Sequence, residues 1–127
     1  MRLLDTDVIV DAVRGYPPAL GWLASLPEQP GLPGLVMMEV VKGCRTVMEL
    51  RRVERIVSPY SIYWPTPADC QNALGFLSRL HFSHSLGLVD ALIAATALGQ
   101  GATLCTFNVK HFAAVPGLTT EQPYGRS

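Results

Sequence analysis

Short apolar blocks alternate along this chain with longer stretches whose apolar positions recur at helical spacing. Leu3-Leu4, closed by Asp5, is a very short block that reads as a buried strand, and Asp7 to Val13 reads as a turn or two of helix ending near Gly15. Pro17-Pro18 opens a second helix, with Leu20, Leu23 and Ala24 on one face. Pro27, Pro30 and Pro33 with their intervening glycines read as a connecting loop, and Leu35-Val36 as a candidate second strand. Met38 to Val57 is apolar-periodic and predicts two helices split near Gly43 to Thr46. Ser61 to Trp64 predicts a strand closed by Pro65, and Thr66-Pro67 caps a helix that runs to about Leu80. Val89 to Leu98 is apolar nearly all round and rich in alanine, so it predicts a buried, closely packed helix ended by Gly99 and Gly101. Ala102 to Thr106 predicts a strand and Asn108 to Phe112 a short helical turn. Strands alternating with helices predict an α/β fold with a central, mainly parallel sheet flanked by helices.

Composition narrows the class. At 127 residues the chain has room for one domain, expected to span residues 1–127, with a sizeable core. Only 16% of residues are charged, which argues against disorder. The ten basic and ten acidic side chains cancel, which excludes a partner held by bulk positive charge. Cys44, Cys70 and Cys105 are odd in number and widely spaced, which excludes a disulfide scaffold and a thiolate zinc knuckle. Asp5, Asp7 and Asp11 interrupt any leader-like apolar run, and no apolar stretch reaches the ~18 residues of a membrane span. A soluble cytoplasmic chain with no membrane contact is the expectation.

With so few acids, their placement is informative. Ligands of open parallel sheets bind beyond the carboxyl ends of the strands. Asp5 follows the first strand, Glu39 opens the helix after Leu35-Val36, Asp90 opens the alanine-rich helix, and Asn108 follows the Cys105-Thr106 strand end. Taken singly, Asp90 reads equally as a first-turn acid favouring the helix dipole and Glu39 as a solvated helix residue. Asp7 reads as a helix cap and Asp11 as a surface acid. Asp5 is harder to place as scenery, because an acid closing a buried apolar strand is costly unless paired or metal-bound. Acids converging from several strand ends suit a hard divalent cation held by oxygen.

Four blocks together resemble the PIN-domain nucleases, especially the VapC-type toxins of type II toxin–antitoxin systems. They are Leu3-Leu4-Asp5-Thr6-Asp7, then Met38-Glu39-Val40-Val41-Lys42-Gly43, then Val89 to Ala97, and last Thr103 to Phe112 with Val115-Pro116-Gly117-Leu118. The resemblance covers nearly the whole chain in family order. It implies a PIN-like fold and a metal-dependent endoribonuclease that hydrolyses RNA phosphodiester bonds with Mg²⁺, Mn²⁺ being able to substitute. It further implies that Asp5, Glu39 and Asp90 are metal ligands and that Asn108 is a fourth catalytic position, often Asp in the family. Thr6, Asp7 and Thr106 would support those ligands by hydrogen bonding. A VapB-type antitoxin and a homodimer are the implied partners.

Two alternatives stand beside this reading. A catalytically silent PIN fold would act as a binding module. The opening Asp5-Thr6-Asp7 also resembles, superficially, the start of haloacid-dehalogenase phosphatases, although the terminal acidic pair those enzymes need is missing near Lys110. Elsewhere, Arg51, Arg52 and Arg55 are candidates for RNA or antitoxin contacts, against a default of a solvated helix face. His81 and His84 lack a third neighbouring ligand and are not expected to hold a metal. His111 is expected at the surface beside the site, Cys105 as inert core, and Trp22, Trp64 and Phe112 as core or interface anchors.

Overall fold

The computed structural model describes residues 1–126; Ser127 lies outside the described residues. Five short strands pair throughout in parallel. Strand β1 (Arg2–Leu4) pairs β4 (Thr103–Cys105), which pairs β5 (Thr119–Glu121), while β2 (Leu32–Pro33) pairs β3 (Ile62–Tyr63). A parallel bridge between Leu3 and Gly31 joins the two groups, carried by the Leu4 N–H donating to the Gly31 carbonyl at 3.0 Å and the Gly31 N–H to the Arg2 carbonyl at 2.9 Å. The strand order across the sheet is therefore 3-2-1-4-5, with β1 in the middle. Leu3, Leu4, Leu104 and Cys105 are fully buried, as expected for strands covered on both faces.

The helices are α1 (Thr6–Val13), α2 (Pro17–Ser25), α3 (Gly34–Gly43), α4 (Val47–Val57), α5 (Pro67–His84), α6 (Leu88–Gly99) and the single turn α7 (Val109–Phe112). Helix α5 begins with a reciprocal cap. The Asp69 N–H donates to Thr66 Oγ1 at 3.1 Å, and the Thr66 N–H donates to Asp69 Oδ2 at 3.0 Å. Its far end lies at His84, one turn beyond the expected stop near Leu80. Helix α6 buries Ala91, Ile93, Ala94, Ala95, Thr96 and Ala97, and its alanines let α5 pack along it. Thr96 survives there because its hydroxyl donates to the Leu92 carbonyl at 2.7 Å. Amphipathic α4 turns Val53 and Val57 inward and its arginines outward.

Two expectations need correction. Leu35-Val36 is not a strand: both belong to α3, and the strand is the Leu32-Pro33 pair just before it. A two-residue apolar run has no periodicity to separate strand from helix, and here Gly34 decides. A Cβ at Gly34 would collide with the Trp64 ring, so the chain turns into α3 directly against that indole. Strand β5 was not anticipated. Thr119–Glu121 is half exposed and polar, and becomes a strand only because β4 offers it a free edge.

Candidate active site at the strand ends

The parallel register of β1 and β4 sets Leu4 opposite Cys105, so Asp5 and Thr106 emerge side by side at the carboxyl end of the sheet. Asp5 caps α1, its Oδ1 accepting from the Thr6 N–H at 2.8 Å, while Oδ2 accepts from the Thr106 hydroxyl at 2.8 Å. The cap is therefore Asp5 and not Asp7, which lies in the first turn. Only 6% of Asp5 is exposed. Burial, with the like charges of Asp7 and Asp90 adding to it, pushes its carboxyl up to about 6, against the opposing hydrogen bonds from Thr106 and Thr6.

Glu39 sits in the second turn of α3, not at its start, and reaches back so that Thr6 donates its hydroxyl to Oε1 at 2.6 Å. Asp90 occupies the first turn of α6, near enough for its charge to act on Asp5. Because α1 packs on α3 and α3 on α6, acids distant in sequence are brought into pairwise relation: Thr6, next to Asp5, holds Glu39, and the charge of Asp90 reaches Asp5. Asn108 follows the β4 end, exposed, with its N–H donating to Thr106 Oγ1 at 3.0 Å. Thr106 thus bridges Asp5 and the Asn108 backbone. Asp7 accepts the Phe107 N–H on Oδ2 at 3.0 Å, while its Oδ1 is buried with no hydrogen-bond partner among the described residues. Burial raises its carboxyl as well.

Among the described residues, no three of His, Cys, Asp and Glu come close enough to form a ready-made cation cage. The donor set still fits Mg²⁺ or Mn²⁺. Both are hard ions that take carboxylate oxygen, and Mg²⁺ characteristically uses one or two carboxylates and keeps several waters rather than filling an all-protein cage. A buried Asp5 with Asp7 and Asp90 as like-charged neighbours, and a carboxylate oxygen of Asp7 without a hydrogen-bond partner among the described residues, suit such a cation.

Other residues fall differently from expectation. Asp11 is largely buried, not a free surface acid: Tyr124 donates its hydroxyl to Oδ2 at 2.6 Å and Arg126 reaches the same oxygen at 2.9 Å. His111 does not merely flank the site, since its Nε2 lies 2.8 Å from Asp90 Oδ2. Arg51 and Arg55 stay exposed on α4. Arg52 joins Arg14 and Arg45 around a cavity of about 570 Å³ floored by Val10, Val13, Val40 and Val53. Cys105 is inert core, burial pushing its thiol up to about 12. Phe112 is fully buried, whereas Trp22 packs on Tyr124 and Trp64 covers Gly34 while half exposed. The Asp90–His111 and Asp11–Arg126 contacts span 21 and 115 residues and have no local signal.

Comparison with known proteins places this geometry. Residues 2–118 match the PIN domain family. The chain is 38% identical over 130 residues to "Ribonuclease VapC19" of Mycobacterium tuberculosis, covering 98% of this chain and 100% of that protein. It is 36% identical over 115 residues to "Ribonuclease VapC10" of the same organism, covering 88% of this chain and 86% of the relative. A toxin–antitoxin complex from Klebsiella pneumoniae contains a chain that superposes with a TM-score of 0.81 at 27% identity, covering 99% of this chain and 100% of the other. VapBC2 from Rickettsia felis, solved bound to a DNA fragment from its promoter, superposes with a TM-score of 0.77 at 26% identity, covering 94% and 96%. The acids gathered at the sheet end and the near full-length matches lead to one conclusion: the chain belongs to the PIN-domain family.

Proposed function

We propose that this chain is a divalent-metal-dependent endoribonuclease and the toxin of a toxin–antitoxin pair, built as one domain and working in the cytoplasm. Ribonucleases of the PIN-domain family generally use divalent metals. The observation that carries the reading for this chain is Asp5, a carboxylate buried at the meeting of β1 and β4 with Asp7 and Asp90 as like-charged neighbours. Such a group is ionised at neutral pH only at a cost unless a cation joins it. Asp5, Glu39 and Asp90 would hold the metal, Mg²⁺ by preference with Mn²⁺ substituting, and the Asn108 amide would bind it or orient a water without adding charge. When bound, the ion supplies a water of lowered pKa and offsets charge on the phosphodiester in the transition state.

The remaining work belongs to the chain. Thr106 fixes one Asp5 oxygen and Thr6 fixes Glu39, so both carboxylates hold their orientation before RNA arrives. Asp7 anchors the backbone at Phe107, which sets where Asn108 begins. Asp5 or Asp90 accepts the proton of the attacking water. Retention of Asp5, Glu39 and Asp90 together favours the nuclease over a silent binding module, and family membership sets the phosphatase alternative aside.

The antitoxin, of VapB type, would meet the cavity between α1, α3 and α4. Its valine floor and its Arg14, Arg45 and Arg52 rim suit a segment that combines apolar with acidic side chains. Arg51 and Arg55 lie on the same helix and would contact RNA or the same partner. A homodimer is the proposed assembly. The decisive experiment is RNA cleavage by purified protein with Mg²⁺ or Mn²⁺. EDTA is expected to abolish cleavage, as is Asp5→Ala with the fold intact by circular dichroism. Cleavage persisting in Asp5→Ala would remove the assignment.

A further inference from the structure

Among the described residues, His111 is the one side chain that hydrogen-bonds a candidate metal ligand from outside the four acidic or amide positions and their threonine partners. Its Nε2 stands 2.8 Å from Asp90 Oδ2, with side-chain exposures of 25% and 33%, so the contact is shielded from bulk water but not sealed. An ionised carboxylate has acceptors only, so the ring donates from Nε2.

Asp90 has little else to hold it. Gly87 caps α6 without a side chain, and no reciprocal cap engages the carboxylate, in contrast to Asp69 on α5. Without His111 the Asp90 side chain would be free to rotate on the first turn of an otherwise rigid, buried helix. The histidine itself is well anchored. Its N–H donates to the Asn108 carbonyl at 3.0 Å, Phe112 beside it is fully buried, and the two rings meet edge to face at 5.7 Å.

The same short segment after β4 touches the other aspartates. Thr106 donates its hydroxyl to Asp5, the Phe107 N–H donates to Asp7, and His111 reaches Asp90. Three carboxylates, from the cap and first turn of α1 and the first turn of α6, are thus contacted by residues 106–111. Thr106 and Phe107 do this from the strand end, and His111 extends it by one helical turn.

We propose that His111 is the positioning residue of Asp90: it binds Oδ2, fixes the carboxylate in one rotamer and leaves Oδ1 for the cation. This rests on the metal-dependent reading given above. It differs from a role as competitor, in which the ring would occupy Asp90 and have to leave before metal enters. Partners that orient metal-binding side chains are typically worth about 10–100-fold in metal affinity.

The test is calorimetric titration of the metal-free, full-length protein with Mn²⁺ at constant pH, alongside thermal melting of the same samples. His111→Ala is expected to bind Mn²⁺ about 10–100-fold more weakly than the wild type. His111→Gln, whose amide nitrogen reaches nearly the position of Nε2, should recover most of that loss. Should the alanine protein fail to fold, His111→Gln against His111→Leu separates the donor from the bulk, with Gln binding and Leu not. Equal or tighter binding by the Ala or Leu variant overturns the positioning role while leaving the metal reading standing. No Mn²⁺ binding by the wild type overturns both.

Discussion

Asp5, proposed above as a metal ligand, carries a charge that burial makes costly. Its carboxyl titrates near 6 in the folded chain against 3.8 unperturbed. For an acid raised in this way, the folded state binds the proton more tightly than the unfolded state. The stabilising contribution is complete below the unfolded value and is lost as pH rises through about 6. Melting curves in EDTA should therefore show the protein losing stability between about pH 4 and 6.5, by something on the order of 2 kcal/mol from this group. Asp5→Asn should flatten that dependence and raise metal-free stability at pH 7 while abolishing RNA cleavage. A pH profile unchanged by the substitution would assign the loss to other groups. The burial of Asp5 was legible in the sequence, since it closes an apolar strand. Asp11 shows the limit: nothing near it in the chain announces Tyr124 and Arg126, and Arg126 also lies 3.9 Å over the Phe107 ring.

Elements with strong local chemistry were legible at their starts. Thr66-Pro67 and Asp69 specify the beginning of α5 with two reciprocal hydrogen bonds and a proline that needs no partner for its nitrogen. Thr66→Ala should cost about 1 kcal/mol, read as a lower urea midpoint at unchanged slope, with RNA cleavage retained under stabilising conditions. The alanine face of α6 is equally plain in sequence, and its tight packing on α5 gives a second expectation. Ala94→Leu should destabilise by about 1–3 kcal/mol through overpacking, since Ala94 is fully buried. What remained ambiguous were the elements too short to carry a period. The two-residue β2, the exposed β5 and the entrance to α3 acquire their form from neighbours: β3, β4 and the Trp64 ring. Misplacing β2 by three residues also moved Glu39 from the second turn of its helix to the first.

At the scale of the molecule, zero net charge conceals a division. Asp5, Asp7 and Asp90 lie near the strand ends, while Arg14, Arg45 and Arg52, with Glu49, line a cavity between α1, α3 and α4. Metal binding to the acidic end should stabilise the whole fold, by about 2.7 kcal/mol at a hundredfold excess over Kd, and so raise the melting temperature by several degrees. EDTA should reverse that shift, and the shift should shrink below pH 6, where the proton on Asp5 competes. Charge reversal in the arginine-lined cavity tests the partner surface. Arg52→Glu should leave cleavage by the isolated protein intact and weaken its neutralisation by the co-expressed antitoxin. Neutralisation equal to wild type would place the partner elsewhere.

By itself the sequence determined the fold class and the order of most elements and singled out the candidate acids, because periodicity, capping and scarcity of charge are local properties. Near full-length resemblance in four blocks pointed to the family before any coordinate was needed. Only the tertiary structure decided what those acids touch. Parallel pairing of β1 with β4 puts Thr106 beside Asp5, packing of α3 on α1 lets Thr6 hold Glu39, and the turn after β4 carries His111 to Asp90. Each of these contacts joins residues 21 to 101 positions apart. Their geometry comes from strand register and helix packing, which no window of neighbouring residues contains.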